Sequence, residues 1–147
     1  MYQDVIENIR QATTLIMAAA VADFKPAEAS SSKIEKTDIF SINLLKTTDI
    51  LAEAGSVKEH GLFIAGFAAE TGNKIDRAKK KLSTKNLDLI IFNDVSKEGS
   101  GFDTDTNEIT IIDNKEEKAF PIMSKDEAAM VILDKIMALK KPIQKKR

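Results

Sequence analysis

The chain has 147 residues, 43% hydrophobic and 31% charged, the size and polarity of one globular domain with a single core. Its 22 Lys and Arg against 23 Asp and Glu leave a formal net charge of -1, so no global field draws it to nucleic acid or anionic lipid and any anion site must be local. The absence of cysteine excludes a disulfide framework, a thiolate nucleophile and cysteine-based metal ligation.

The amino end carries Asp4, Glu7 and Arg10 instead of a basic region followed by an apolar one, and no apolar run approaches bilayer length. The expectation is a soluble cytoplasmic protein without a signal peptide. Residues 2–11 predict a helix with Val5, Ile6 and Ile9 along one side, and residues 13–19 a fully buried strand. Residues 27–32, small and polar after Pro26, predict a loop, and residues 40–45 a second strand. Thr47 or Thr48 can cap a helix over residues 49–57, because a threonine oxygen accepts from the unpaired amides of the first turn and Asp49 complements the dipole.

Gly61 separates that helix from a strand over residues 62–67, followed by a helix over 73–82 and a buried strand over 87–92. Residues 109–112 and 119–122 flank Asn114 and Lys115 and predict a hairpin. Ser124 and Glu127 have the spacing of a capping box, opening a last helix that runs to about Leu139 with Ala128, Ile132, Ile136 and Leu139 on its sheet-facing side. Strands alternating with helices predict an α/β fold with a mainly parallel sheet flanked by helices and a C-terminal β-hairpin. One domain over residues 1–140 precedes a basic tail at 141–147, read as a solubilising end without a function.

In an open α/β sheet ligands bind beyond the carboxyl ends of the strands. Here those ends are residues 18–23, 46–49, 67–71 and 92–96, with Lys33, Lys81 and Lys85 nearby in sequence. Taken singly, each has a simpler role. Asp23 can form a turn, its carboxylate accepting from backbone amides two residues on, Lys33 can be solvated, and Phe67 can be core. Lys79, Lys80, Lys81 and Lys85 surround a helix end where cations favour the carbonyl dipole. Thr48 and Asp49 serve equally as a plain cap or as an anion-facing helix start.

Other motifs fail. The run from Asp103 imitates a calcium loop, but its sixth position is Glu108 and its twelfth Asn114. Gly99 and Gly101 lack the Gly-Lys-Ser/Thr of a phosphate-binding loop, and no Gly-x-Gly-x-x-Gly occurs. His60, the only histidine, stands at a helix end and reads as a surface residue. Neither a Ser-His-Asp arrangement nor a zinc site can be assembled, and no protein metal site is expected.

In order, AAAVADFKP, KIEK, KTTDIL, GFAAET, the lysines of KKKLSTKNLDLI, NDVS and GFDTDTN span nearly the whole chain. This succession resembles the carboxyl-terminal domain of phosphopantothenoylcysteine synthetase, which in most bacteria is fused behind a flavin-dependent decarboxylase. The resemblance implies a three-layer Rossmann-like fold and a ligase of coenzyme A biosynthesis. Such a ligase condenses 4'-phosphopantothenate with L-cysteine, using CTP and Mg2+ through an acyl-cytidylate. It implies that Lys33 lies closest to the reacting centre as the catalytic lysine, and that Lys33, Lys81 and Lys85 contact phosphate and nucleotide. Asp23 would hold the nucleotide by a hydrogen bond, Met17, Ala18 and Ala19 would present strand-end backbone, and Phe67 would flank base or sugar. Thr48, Asp49, Ile50 and Leu51 would meet the nucleotide from the helix start.

The resemblance further implies a homodimer. It also implies an upstream glycine-rich strand and turn and a Ser-Asn-x-Ser-Ser-Gly-like loop that this sequence does not contain, so a domain truncated at its amino end is expected. Thr47 and Thr48 replace the Asn-Pro of many relatives. The rival expectation is a non-catalytic nucleotide-binding or dimerisation module, pairing through the hairpin at residues 108–122.

Overall fold

The computed structural model describes residues 1–34, 36, 41–59, 61–72, 74–101 and 103–140. Helix α1 (Tyr2–Asn8) leads into strand β1 (Thr14–Met17), and β2 (Phe24–Pro26) and β3 (Leu44–Lys46) follow before α2 (Ile50–Ser56). Then come β4 (Phe63–Glu70), α3 (Ile75–Thr84), β5 (Leu89–Asp94), β6 (Thr106–Asn107), β7 (Ile109–Ile112), β8 (Glu117–Ala119), β9 (Met123–Ser124) and α4 (Lys125–Leu139).

The central sheet has the order β1-β4-β5-β7-β8, with β1, β4 and β5 parallel and the β7–β8 hairpin antiparallel at one end. Strand parity divides its side chains between two helical layers. Ile64, Ile90, Phe92 and Ile112 pack with Ala54, Ala78 and Leu82 of α2 and α3 and with Ile9. Phe63, Ala65, Leu89, Ile91, Ile109 and Ile111 pack against Ala128, Ile132 and Ile136 of α4. The expected three-layer α/β class and the expected sheet-facing stripe of the last helix are therefore both present. The capping box is complete, with the Ser124 hydroxyl accepting from the Glu127 amide and the Glu127 carboxylate accepting from the Ser124 amide.

Four readings of the sequence need correction. Strand β1 is not fully buried: among the described residues it pairs on one side only, with β4, and it leaves Ile16 41% exposed. The second strand does not enter the central sheet; β3 pairs antiparallel with β2, and this exposed ribbon stands apart because Leu44 and Leu45 point to no core. Phe40, the start of that expected strand, lies outside the described residues, as do His60, Asn73 and the tail at 141–147.

Neither threonine caps α2. Asp49 does, its carboxylate accepting from the Ala52 amide at 3.0 Å, while the Thr47 hydroxyl donates to the Ala22 carbonyl at 2.6 Å. A carboxylate is the stronger acceptor for a first-turn amide, and the Thr47 contact joins the segment after β1 to the one after β3. The hairpin's return strand ends at Ala119, three residues short of Ile122, because Met123 and Ser124 pair instead with Asn107 and Thr106.

Glycine fixes how closely α2 approaches its neighbours. A Cβ on Gly55 would fall 1.9 Å from the Lys85 carbonyl oxygen, and one on Gly66 would fall 2.7 Å from Leu51 Cδ2. With hydrogen at both positions, α2 lies directly over β4 and against the end of α3. The Gly55 carbonyl accepts from the Asn86 amide side chain at 2.9 Å, which seals that contact. Among the described residues no helix is long and apolar enough to cross a membrane.

Candidate functional site

The carboxyl ends of β1 and β4, the entry to α2 and the last turn of α3 enclose a cleft of 380 Å³. Met17, Ala18, Ala19, Asp23, Thr48, Asp49, Ile50, Leu51, Phe67, Lys81 and Lys85 all line it. These residues come from four separated segments, and the local geometry explains their meeting. Register places Met17 beside Gly66, the missing side chain at Gly66 admits Leu51, and the close contact at Gly55 brings Lys85 beside α2.

Lys33 is the exception among the expected site residues. It is exposed on the excursion between β2 and β3 and does not line the cleft. That excursion is exposed along its described length, so no apolar burial draws it down onto the strand ends. The expectation that Lys33 joins Lys81 and Lys85 in one cavity is therefore not met by this chain alone.

Both lysines in the cleft are ion-paired. The Lys85 ammonium lies 2.7 Å from Asp49 Oδ2, so one carboxylate caps α2 and holds a cation of α3. Burial pushes the Asp49 carboxyl up, but the Lys85 hydrogen bond, the Ala52 and Leu51 amides and the Lys85 charge together outweigh it and leave the carboxyl below the usual range. The Lys81 ammonium lies 2.7 Å from Glu70 Oε1, and the Arg77 guanidinium 3.8 Å from the other oxygen. The Lys81 hydrogen bond is the main cause that holds the Glu70 carboxyl below its ordinary value.

Sequence reasoning missed Glu70 as an individual site residue. Its signal was present in the motif GFAAET, where the acid ends a strand whose preceding residues line the cleft. It also missed Ala20, Val21, Ala22, Thr47, Ala68 and Ala69 on the cleft wall. Small side chains at these positions leave backbone within reach of a ligand.

Phe67 is 37% exposed and, by strand parity, shares the α4 face with Phe63 and Ala65. It lines the cleft and also a second, more apolar hollow of 460 Å³ on the α4 side of the same strand ends. Ala18, Phe67, Ala68 and Ala69 are common to both. The end of β4 thus forms a thin partition between a charged compartment and an apolar one.

The loop beyond β4 is held firmly. Asp94 Oδ1 accepts from the Gly72 amide at 2.9 Å and from the Ser96 amide and hydroxyl at 3.1 and 2.6 Å. The Ser96 hydroxyl is the main cause that keeps the Asp94 carboxyl below its usual range. Among the described residues no group of three or more His, Cys, Asp or Glu is placed to hold a metal ion.

Residues 1–139 match the family described as the DNA/pantothenate metabolism flavoprotein C-terminal domain. The chain is similar, at 42% identity over 136 residues, to a cysteine/cysteine sulfinic acid decarboxylase from an unknown prokaryotic organism, covering 91% of this chain and 38% of that protein. It is 40% identical over 142 residues to the coenzyme A biosynthesis bifunctional protein CoaBC of Vibrio vulnificus strain CMCP6, covering 95% of this chain and 35% of that protein. A solved C-terminal domain of CoaBC superposes with a TM-score of 0.73 at 31% identity, covering 94% of this chain and 60% of that one. The chain thus spans little more than a third of the length of these curated relatives.

Proposed function

The chain belongs to the DNA/pantothenate metabolism flavoprotein C-terminal domain family, the phosphopantothenoylcysteine synthetase domain of CoaBC, and on that footing we propose that its cleft binds CTP for the ligation of phosphopantothenate to L-cysteine. One observation carries this reading: eleven residues expected at a nucleotide site from four separate segments line one cleft at the carboxyl ends of parallel strands.

The chemistry suits those residues. In the first half-reaction the phosphopantothenate carboxylate attacks the α-phosphorus of CTP and pyrophosphate leaves, forming an acyl-cytidylate. Both reactants are anionic, so cations must neutralise their approach and the departing charge. Lys81 and Lys85 supply ammonium groups at the cleft, and Lys33 would have to reach it from the β2–β3 excursion, closest to the reacting carboxylate. In the second half-reaction the amine of cysteine attacks the acyl carbon and CMP leaves, so the amide forms with no covalent bond to the protein.

Asp23, on the cleft wall, would accept a hydrogen bond from the nucleotide. Strand-end backbone at Met17, Ala18 and Ala19 and helix-entry backbone at Thr48, Ile50 and Leu51 form the walls, and Phe67 offers an aromatic flank. Asp23 and Asp49 balance Lys81 and Lys85 within the cleft, so a triphosphate is expected to arrive with Mg2+, which supplies charge neutralisation. The apolar hollow across β4 suits the less polar pantothenoyl chain.

Exposed apolar side chains favour a pairing role as well. Phe24, Ile42, Leu44 and Leu45 are all more than half exposed on or beside the β2–β3 ribbon, whereas the exposed strand of the β7–β8 hairpin carries Glu117 and Lys118. A homodimer in the parent protein would cover the ribbon, not that hairpin, and would bring the Lys33 excursion against a neighbouring subunit. We place the parent in the cytoplasm, together with a flavin-dependent decarboxylase domain.

Thermal unfolding tests the nucleotide reading. A ligand bound only by the native state at about 100 times its Kd stabilises by about 2.7 kcal/mol, which is about 5–10 °C for a chain of this size. CTP with Mg2+ is expected to raise the midpoint by that amount and ATP by less. No shift with CTP removes the proposal.

A further inference from the structure

Glu70 takes no direct part in the proposed chemistry, yet it follows Ala69 of the cleft wall and is less exposed than either cation it pairs with. Its side chain is 15% exposed, against 40% for Lys81 and 64% for Arg77. It ends β4, the strand whose residues 67–69 form the cleft wall, so its backbone is fixed by pairing to Asp94 of β5. The next turn is pinned by the three hydrogen bonds that Asp94 Oδ1 accepts from Gly72 and Ser96. The carboxylate is thus a rigid anchor, and Lys81, on a long flexible stem, is not.

We propose that Glu70 is a positioning residue that holds the Lys81 ammonium at the cleft in the orientation that meets a phosphate, an inference that rests on the nucleotide reading above. An ammonium has three N–H donors. Glu70 Oε1 takes one of them, and two stay available for ligand oxygens. Arg77 on Oε2 offsets the carboxylate charge, so the Arg77–Glu70–Lys81 triad keeps a net charge of +1 at the rim and does not cancel the cation it orients. Lys85 differs, because its partner Asp49 is neutralised one for one.

The test is a double-mutant cycle on the full 147-residue chain, read as the Kd for CTP with Mg2+ by calorimetry, with thermal midpoints recorded in parallel. Lys81→Gln is expected to weaken binding about tenfold. Glu70→Gln is expected to weaken it about fivefold in the parent background and to have no effect in the Lys81→Gln background, while Glu70→Asp recovers part of the loss. A purely structural role for Glu70 predicts an equal loss in both backgrounds, and that result overturns the inference. Tighter binding in Glu70→Gln also overturns it, by showing that the carboxylate competes with phosphate. If Lys81→Gln leaves CTP affinity unchanged, or the parent binds no CTP, the nucleotide reading itself fails and the inference falls with it.

Discussion

The Lys85 ammonium lies 2.7 Å from the Asp49 carboxylate, joining the end of α3 to the cap of α2 across the mouth of the cleft. One carboxylate therefore serves a helix terminus and a cation on the cleft wall. Asp49→Ala removes the cap, a loss of about 1 kcal/mol, which corresponds to a drop of about 2–4 °C in the unfolding midpoint. Asp49→Ser, which can still cap, is expected to recover most of that stability but not the orientation of Lys85, so CTP affinity stays reduced in both variants. Urea unfolding and calorimetry on the two variants separate these effects.

Gly55 determines how far α2 can approach Lys85. Its added Cβ would sit 1.9 Å from a backbone oxygen, which cannot rotate away. Gly55→Ala is expected to cost about 1–3 kcal/mol through overpacking and to lower CTP affinity by displacing Lys85. Gly101→Ala is the control, because its Cβ would meet nothing within 4 Å; a change within about 0.5 kcal/mol is expected there. Equal effects at the two positions would contradict the close approach.

Phe67 is exposed enough that its truncation should affect a ligand more than the core. Phe67→Ala is expected to weaken CTP binding by about 1–3 kcal/mol, the range for loss of one aromatic–base contact, with a smaller change in stability. A large loss of stability with unchanged affinity would return Phe67 to a core role.

Acid should weaken the fold in a defined window. The carboxyls of Glu70, held by Lys81, and of Asp94, held by the Ser96 hydroxyl, lie below their ordinary values in the folded chain. A depressed carboxyl contributes stability above its unfolded value, about 4, and loses it as pH falls through the folded value. The unfolding midpoint is therefore expected to be nearly level between about pH 7 and pH 5 and to fall below about pH 4. Asp94→Asn keeps an oxygen for Gly72 and Ser96 but cannot titrate in this range, so its midpoint should fall less steeply with acid.

Lys33 offers a test that separates chemistry from folding. It is exposed and does not line the cleft, so Lys33→Gln should leave the unfolding midpoint within about 1 °C. In a full-length parent the same substitution should abolish product formation while leaving subunit pairing intact, as measured by a coupled pyrophosphate assay and sedimentation. An unchanged rate removes Lys33 from the reaction.

The four helices and strands β1, β4, β5 and β7 in their chain order, the α4 stripe of Ala128, Ile132 and Ile136, and the capping box at Ser124 were legible in the sequence, whereas the short strands β2, β6 and β9 were not. Each depends on residues within a few positions of one another, where period and cap chemistry suffice. That residues from 17–23, 48–51, 67 and 81–85 meet at one cleft was legible for a similar reason, since strand ends in an α/β fold face one rim. Other features depended on long-range partners. That β1 is an edge, that β3 pairs with β2 outside the main sheet, and that Asp49 in place of a threonine caps α2 depend on which distant groups come within reach. The same holds for Glu70 and Lys81, eleven positions apart, and for Gly55 and Lys85, thirty apart. Local propensity sets what a segment can become, but register and helix packing alone decide which charges meet, because ion pairing and close approach act through space and not along the chain.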